Sequence, residues 1–191
     1  MKVKRRTAVL LFISYAFMAG SVVSAADAAE FHSASAPVTL NGTQSTAHKW
    51  TTDAGTVTCK VATFTGTQST KTSSSSTMTP TYKECVAFGF INVPIHTNGC
   101  AYLYGPNGTT ALECPAGKMI EITTPGCTTT IGPFHFSFGT TFANDATRVV
   151  LKTKHETKGI PYDECGSATT GAAYTGETTV TGAGGVAVWW E

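Results

Sequence analysis

Two carboxylates stand in matching surroundings. Tyr82-Lys83-Glu84-Cys85 and Tyr162-Asp163-Glu164-Cys165 each place a glutamate directly before a cysteine and a tyrosine three residues before it. Two acids held several ångströms apart across a cleft are what glycoside cleavage needs, one to protonate the leaving oxygen and one to act as base or nucleophile. A solvated acid at a strand end carries the same local signature and is the commoner origin of such a residue. Other catalytic sets are missing from the sequence. Ser167 follows Cys-Gly and lacks the Gly-x-Ser-x-Gly elbow that exposes a nucleophilic serine. His155-Glu156 has no second histidine at the position a zinc-protease helix requires, and Gly182-Ala183-Gly184 runs into strand-forming residues where a dinucleotide loop opens a helix. His32, His48, His96, His135 and His155 are dispersed, and no aspartates alternate as in a calcium loop. No catalytic, cofactor-binding or metal-binding set is therefore expected.

Cysteines are the strongest chemical signal. Cys59, Cys85, Cys100, Cys114, Cys127 and Cys165 are an even set, and at least twelve residues separate neighbours, too far for the close ligand pairs of structural zinc. Disulfides are the expectation. In the run from Cys100 to Cys114, a turn at Gly105-Pro106-Asn107-Gly108 divides two short strand-forming stretches. If Tyr104 faces Thr110, then Tyr102 faces Leu112 and Cys100 faces Cys114, at a separation a disulfide spans. The other two pairs, Cys59 with Cys85 and Cys127 with Cys165, follow only from neighbour order.

The elements that must carry these residues are strands. Among 191 residues there are 35 threonines and 13 serines, a quarter of the chain. Threonine is branched at Cβ and suits a pleated surface, and the sequence shows no helical periodicity. Phe134, Phe136 and Phe138 alternate with polar residues, as do Val149, Leu151 and Thr153, the two-residue period of a half-buried strand. The segment from Thr178 through Gly182-Ala183-Gly184-Gly185 to Val186, Val188 and Trp190 predicts a closing hairpin. Asn41-Gly42-Thr43 and Asn107-Gly108-Thr109 match the glycosylation sequon and also spell tight turns. Residues 65 to 82 carry little apolar bulk and predict a flexible Ser/Thr-rich excursion. The fold expected is all-β, a disulfide-braced antiparallel sandwich or partly closed barrel with little or no helix, forming a single domain over residues 26 to 191.

The first residues carry an address. Lys2, Lys4, Arg5 and Arg6 precede an apolar stretch over residues 8 to 23 and then small residues, the form of an export signal peptide with cleavage after Ala25 or Ala28. Sixteen apolar residues fall short of the roughly 20 a membrane-spanning helix needs. Without residues 1 to 25, nine Lys and Arg remain against twelve Asp and Glu, a net charge of −3. Such a surface offers no footprint for nucleic acid, and no membrane anchor is expected after cleavage.

Tyr82 to Gly89 reads Tyr-x-x-Cys-x-x-Phe-Gly, followed by Asn98-Gly99-Cys100-Ala101-Tyr102 and Cys114-Pro115-Ala116-Gly117-Lys118. This cysteine context resembles a group of uncharacterised secreted bacterial proteins. The resemblance implies export and a disulfide frame, and it implies no activity. The leading expectation is a non-enzymatic extracellular or cell-envelope β-domain for binding or surface structure, whose partner is an extracellular glycan or protein. Trp50, Trp189, Trp190, Tyr102 and Tyr104 would stack on sugar rings if they faced outward together, although such residues more often fill a core. The alternatives are a secreted glycoside hydrolase using Glu84 and Glu164, and a secreted hydrolase inhibitor presenting the loop at residues 105 to 109.

Overall fold

A computed structural model of the chain describes residues 29 to 191, apart from residue 138 and the side chains of residues 155 to 158. The expected export peptide and Phe138 of the expected alternating strand lie outside the described residues. Within them the chain forms β1 (Phe31–Ser33), β2 (Val38–Thr52), β3 (Gly55–Gln68), β4 (Thr72–Ser73), β5 (Ser76–Ala87), β6 (Ile91–Asn92) and β7 (Ile95–His96). It continues through β8 (Ala101–Tyr104), β9 (Thr110–Glu113), β10 (Ile120–Thr124), β11 (Cys127–Ile131), β12 (Phe134–Phe136) and β13 (Thr140–Asp145). It ends in β14 (Arg148–Glu164), β15 (Ser167–Gly182) and β16 (Val188–Trp190). Two single 3-10 turns and no α-helix accompany these strands among the described residues.

Thirteen strands join in one antiparallel sheet, in the order β12-β9-β8-β5-β3-β2-β15-β14-β11-β10-β7, with β13 on β14 and β6 on β5. The sheet curls into a half-barrel. Its strands alternate as a one-sided sheet must. Val38, Leu40 and Gly42 of β2 point inward, as do Ala62 and Phe64 of β3 and Met78, Pro80 and Tyr82 of β5, while Thr39, Thr43, Thr63, Thr79 and Thr81 point out. The outer threonines fall in register, so that Thr179, Thr43, Thr63 and Thr81 form one row across four strands, and Thr181, Asn41, Thr65 and Thr79 form the next. The threonine excess is thus an outer veneer whose branched side chains match the pleat.

Strands β9 and β13 are not paired, yet they meet across the inside. Thr110 Oγ1 lies 2.7 Å from Thr140 Oγ1, which lies 3.1 Å from Thr153 Oγ1. Gly108 presses its backbone on Thr140 so closely that a Cβ would stand 2.1 Å from the carbonyl oxygen. A second sheet, β16-β1-β4, straps one end. Phe31 and Trp190 of that strap pack with Phe142 of β13 at ring separations of 5.1, 4.5 and 4.4 Å.

All three expected disulfides are formed. The β8–β9 register pairs Tyr104 with Thr110 and Tyr102 with Leu112, which leaves Cys100 opposite Cys114 at a Cα separation of 4.0 Å. Cys59 and Cys85 are direct partners across β3 and β5, and Cys127–Cys165 joins the β10–β11 and β14–β15 turns. No helix among the described residues is long and apolar enough to cross a membrane.

Three local expectations are corrected. Residues 65 to 82 are not a flexible excursion: 65 to 68 finish β3 and 76 to 82 begin β5, because alternating Met78, Pro80 and Tyr82 supply apolar bulk on the one face that needs it. The short link between them is tied by the buried Gln68 amide, which donates to the carbonyls of Phe31 and Lys71, both at 3.1 Å. The segment after Gly182 does not fold back on β15 as a hairpin, since β16 pairs with β1. Gly182 is packed on the Val186 carbonyl at 2.4 Å from its Cβ position, and the turn at residues 183 to 185 sends the chain across the barrel end. Asn41-Gly42-Thr43 is mid-strand and not a turn, with Gly42 seated against Phe64 and Thr178. Asn107-Gly108 is a turn as expected.

Candidate functional site

At the end of the half-barrel away from the strap, four turns surround a cavity of about 170 Å³. They are the links β2–β3, β5–β6, β10–β11 and β14–β15. Trp50 lies against it, 1% exposed, with its ring 4.3 Å from that of Tyr174. The buried Trp50 indole N–H has no hydrogen-bond acceptor among the described residues. Val57, Ala87, Ile122 and the Cys127–Cys165 bridge complete the apolar wall.

One carboxylate enters this wall. Glu164, the last residue of β14, sits opposite Ser167 on β15 and next to Thr129 on β11. Its Oε1 accepts from the Thr52 hydroxyl at 3.1 Å and from the Thr129 hydroxyl at 3.4 Å. Two donors on separate strands hold the acid in one orientation, which is the geometry of a pre-set binding group. Among the described residues no lysine, arginine or histidine lines the cavity.

Phe88 stands at the mouth, 58% exposed, and Phe90 beyond it is 78% exposed. Phe88 has a left-handed backbone, φ 53°, followed by Gly89 at 83°. Its ring lies over Gly55, where an added Cβ would come within 2.8 Å of the ring edge. Cys165 in the cavity wall is also left-handed, at φ 55°. Non-glycine residues in this region cost roughly 1 to 2 kcal/mol each, and such strain gathers where the surrounding structure imposes a working shape.

The two candidate glutamates part company here. Glu164 lines the cavity, whereas Glu84 is exposed on β5, in a left-handed conformation at φ 51°, and is not part of the lining. The echo in sequence does not become a facing pair in this cavity. The five aromatics also separate: Trp50, Tyr102 and Tyr104 are core, while Trp190 packs in the strap and Trp189 stacks on His32 at 5.3 Å. The loop at residues 105 to 109 is seated on Thr140 and does not protrude.

A feature not foreseen fills the interior. His48, after a register shift in β2, points inward and shares its Nδ1 with the Tyr174 hydroxyl at 2.6 Å and its Nε2 with the Thr178 hydroxyl at 3.1 Å. The Tyr82 hydroxyl lies 2.8 Å from that of Tyr174 and 3.1 Å from that of Tyr102. Burial pulls His48 down to about 4, a backbone hydrogen bond at Glu177 offsetting part of the effect, and burial pushes all three tyrosines up. Every member is neutral near pH 7, and the hydrogen bonds among them make a satisfied polar core. Among the described residues no three His, Cys, Asp or Glu side chains converge as metal ligands.

No protein-family model, curated protein or solved structure matches this chain.

Proposed function

We propose that the chain is a non-enzymatic binding domain working outside the cytoplasm, and that its ligand seats in the cavity beside Trp50. The observation that carries this reading is the cavity itself: apolar walls, one carboxylate fixed by two threonine hydroxyls, and an aromatic mouth. Concave, mostly apolar surfaces with a few placed polar groups are the usual form of small-ligand sites. The disulfide through Cys127 and Cys165 braces one wall, and the Cys59–Cys85 bridge ties the strands beneath another, so the shape exists before a ligand arrives. Work beyond the cytoplasm rests on the leader-like first residues and the three bridges.

Saturation-transfer NMR with a fragment library, run on the oxidised chain, tests the site. Single-ring fragments are expected to bind, and Ala54→Trp, which adds a ring at an exposed position of the cavity wall, is expected to displace them. Hits unaffected by that substitution, or an absence of hits, would reject the cavity as the binding site.

A further inference from the structure

Resting on the cavity reading above, we infer that the ligand is a small organic cation: one ring carrying a short ammonium-bearing arm. The charge pattern makes the case. Among the described residues Glu164 is the only ionisable side chain lining the cavity, and no cation pairs with it. Both threonine hydroxyls reach the same oxygen, Oε1, so Oε2 has no hydrogen-bond donor among the described residues. A carboxylate in a largely apolar wall calls for a positive partner, because removing water from it without one is costly.

Size and shape narrow the class. About 170 Å³ is close to the roughly 150 Å³ that holds a benzene ring, so one ring and a short arm fill it. Phe88 at the mouth, 58% exposed, presents aromatic surface, which attracts a cation as well as a ring. An anionic ligand would meet Glu164 with no counter-charge from the wall. The threonines that orient Glu164 spend their donors on it, so they favour a ligand that donates over one that accepts.

Three ligands of similar size separate charge from shape: phenethylammonium, 2-phenylethanol and phenylacetate, titrated calorimetrically into the oxidised full chain at low salt. The ammonium is expected to bind about tenfold tighter than the alcohol, the margin of an ion pair over a neutral hydroxyl donating to the same carboxylate, with phenylacetate weakest. Glu164→Gln, which still accepts from Thr52 and Thr129 through its amide oxygen, is expected to remove the ammonium's margin over the alcohol. Equal binding of ammonium and alcohol to the natural chain, or a preference that survives Glu164→Gln, would overturn the cation inference and leave the cavity as a site for neutral rings. Binding of none of the three, or binding that persists in Ala54→Trp, would overturn both. Should Glu164→Gln fail to fold, the ammonium-to-alcohol ratio in the natural chain decides alone.

Discussion

The Tyr174 hydroxyl lies 2.6 Å from Nδ1 of His48, inside the half-barrel and shielded from solvent. Tyr82 approaches the same oxygen at 2.8 Å, so one phenol joins strands β15, β2 and β5. The interior is therefore held by polar bonds as well as apolar packing, and its behaviour under perturbation follows from which atoms are shared.

Acid should weaken the fold through His48. Its folded pKa is about 4 against 6.5 when unfolded, chiefly because burial opposes the charge. Above pH 6.5 neither state is protonated and the contribution is complete. As pH falls from 6.5 through 4, the unfolded chain takes a proton that the folded chain refuses, so stability is lost across that window, up to about 3 kcal/mol. Urea midpoints at pH 7.5 and 4.5 measure the loss. In His48→Gln the part of the slope belonging to this window should vanish, and an unchanged slope would place the acid sensitivity elsewhere.

Tyr174→Phe should destabilise more than Tyr102→Phe. The first strips a partner from both His48 and Tyr82, whereas the second leaves the Tyr82 hydroxyl still bonded to Tyr174. Expected costs are about 2 to 3 kcal/mol and about 1 kcal/mol, from the penalty of buried groups left without partners. Denaturation curves for the two variants should differ in midpoint in that order.

Glycines divide by surroundings. A Cβ at Gly176 would lie 2.2 Å from His48 Nδ1, a rigid ring held at both nitrogens, so Gly176→Ala should cost about 3 kcal/mol or more. Gly126 has φ +82° and open space around it, so Gly126→Ala should cost only the left-handed penalty, about 1 kcal/mol. Thermal melts of the pair would show the contrast.

Peptide mapping without reductant should return Cys59–Cys85, Cys100–Cys114 and Cys127–Cys165. Replacing both cysteines of the second bridge by alanine should cost about 3 kcal/mol, and both of the third about 4, because the third closes the longer loop. Reversal of that order in urea midpoints would mean that strain in the native state outweighs loop entropy.

Sequence alone revealed the β8–β9 hairpin to the residue, because a tight turn and a two-residue period leave a single register that puts Cys100 against Cys114. It misread residues 65 to 82, where threonine on the outer face dilutes the apolar signal that Met78, Pro80 and Tyr82 carry inward. The alternation was present and could have been counted. The polar core was not legible, since His48, Tyr82, Tyr102 and Tyr174 come from four strands and touch only after the sheet curls. Glu164 was singled out for its neighbours in sequence, while its distinction from Glu84 lies in which turn faces the cavity. The route of β16 depended on β1, more than 150 residues earlier, which no local pattern reports.

Residues 30 and 191 exchange backbone hydrogen bonds, at 2.5 and 3.1 Å, beside the strap. Strand β2 starts near this strap and ends at the cavity, a run of 15 residues and about 45 to 50 Å. Immobilisation through a tag at either position therefore leaves the Trp50 end pointing away from the support. Joining the two by a short linker, with fresh ends opened at the unobstructed turn around Gly117, would yield a circular permutant that keeps the mouth free.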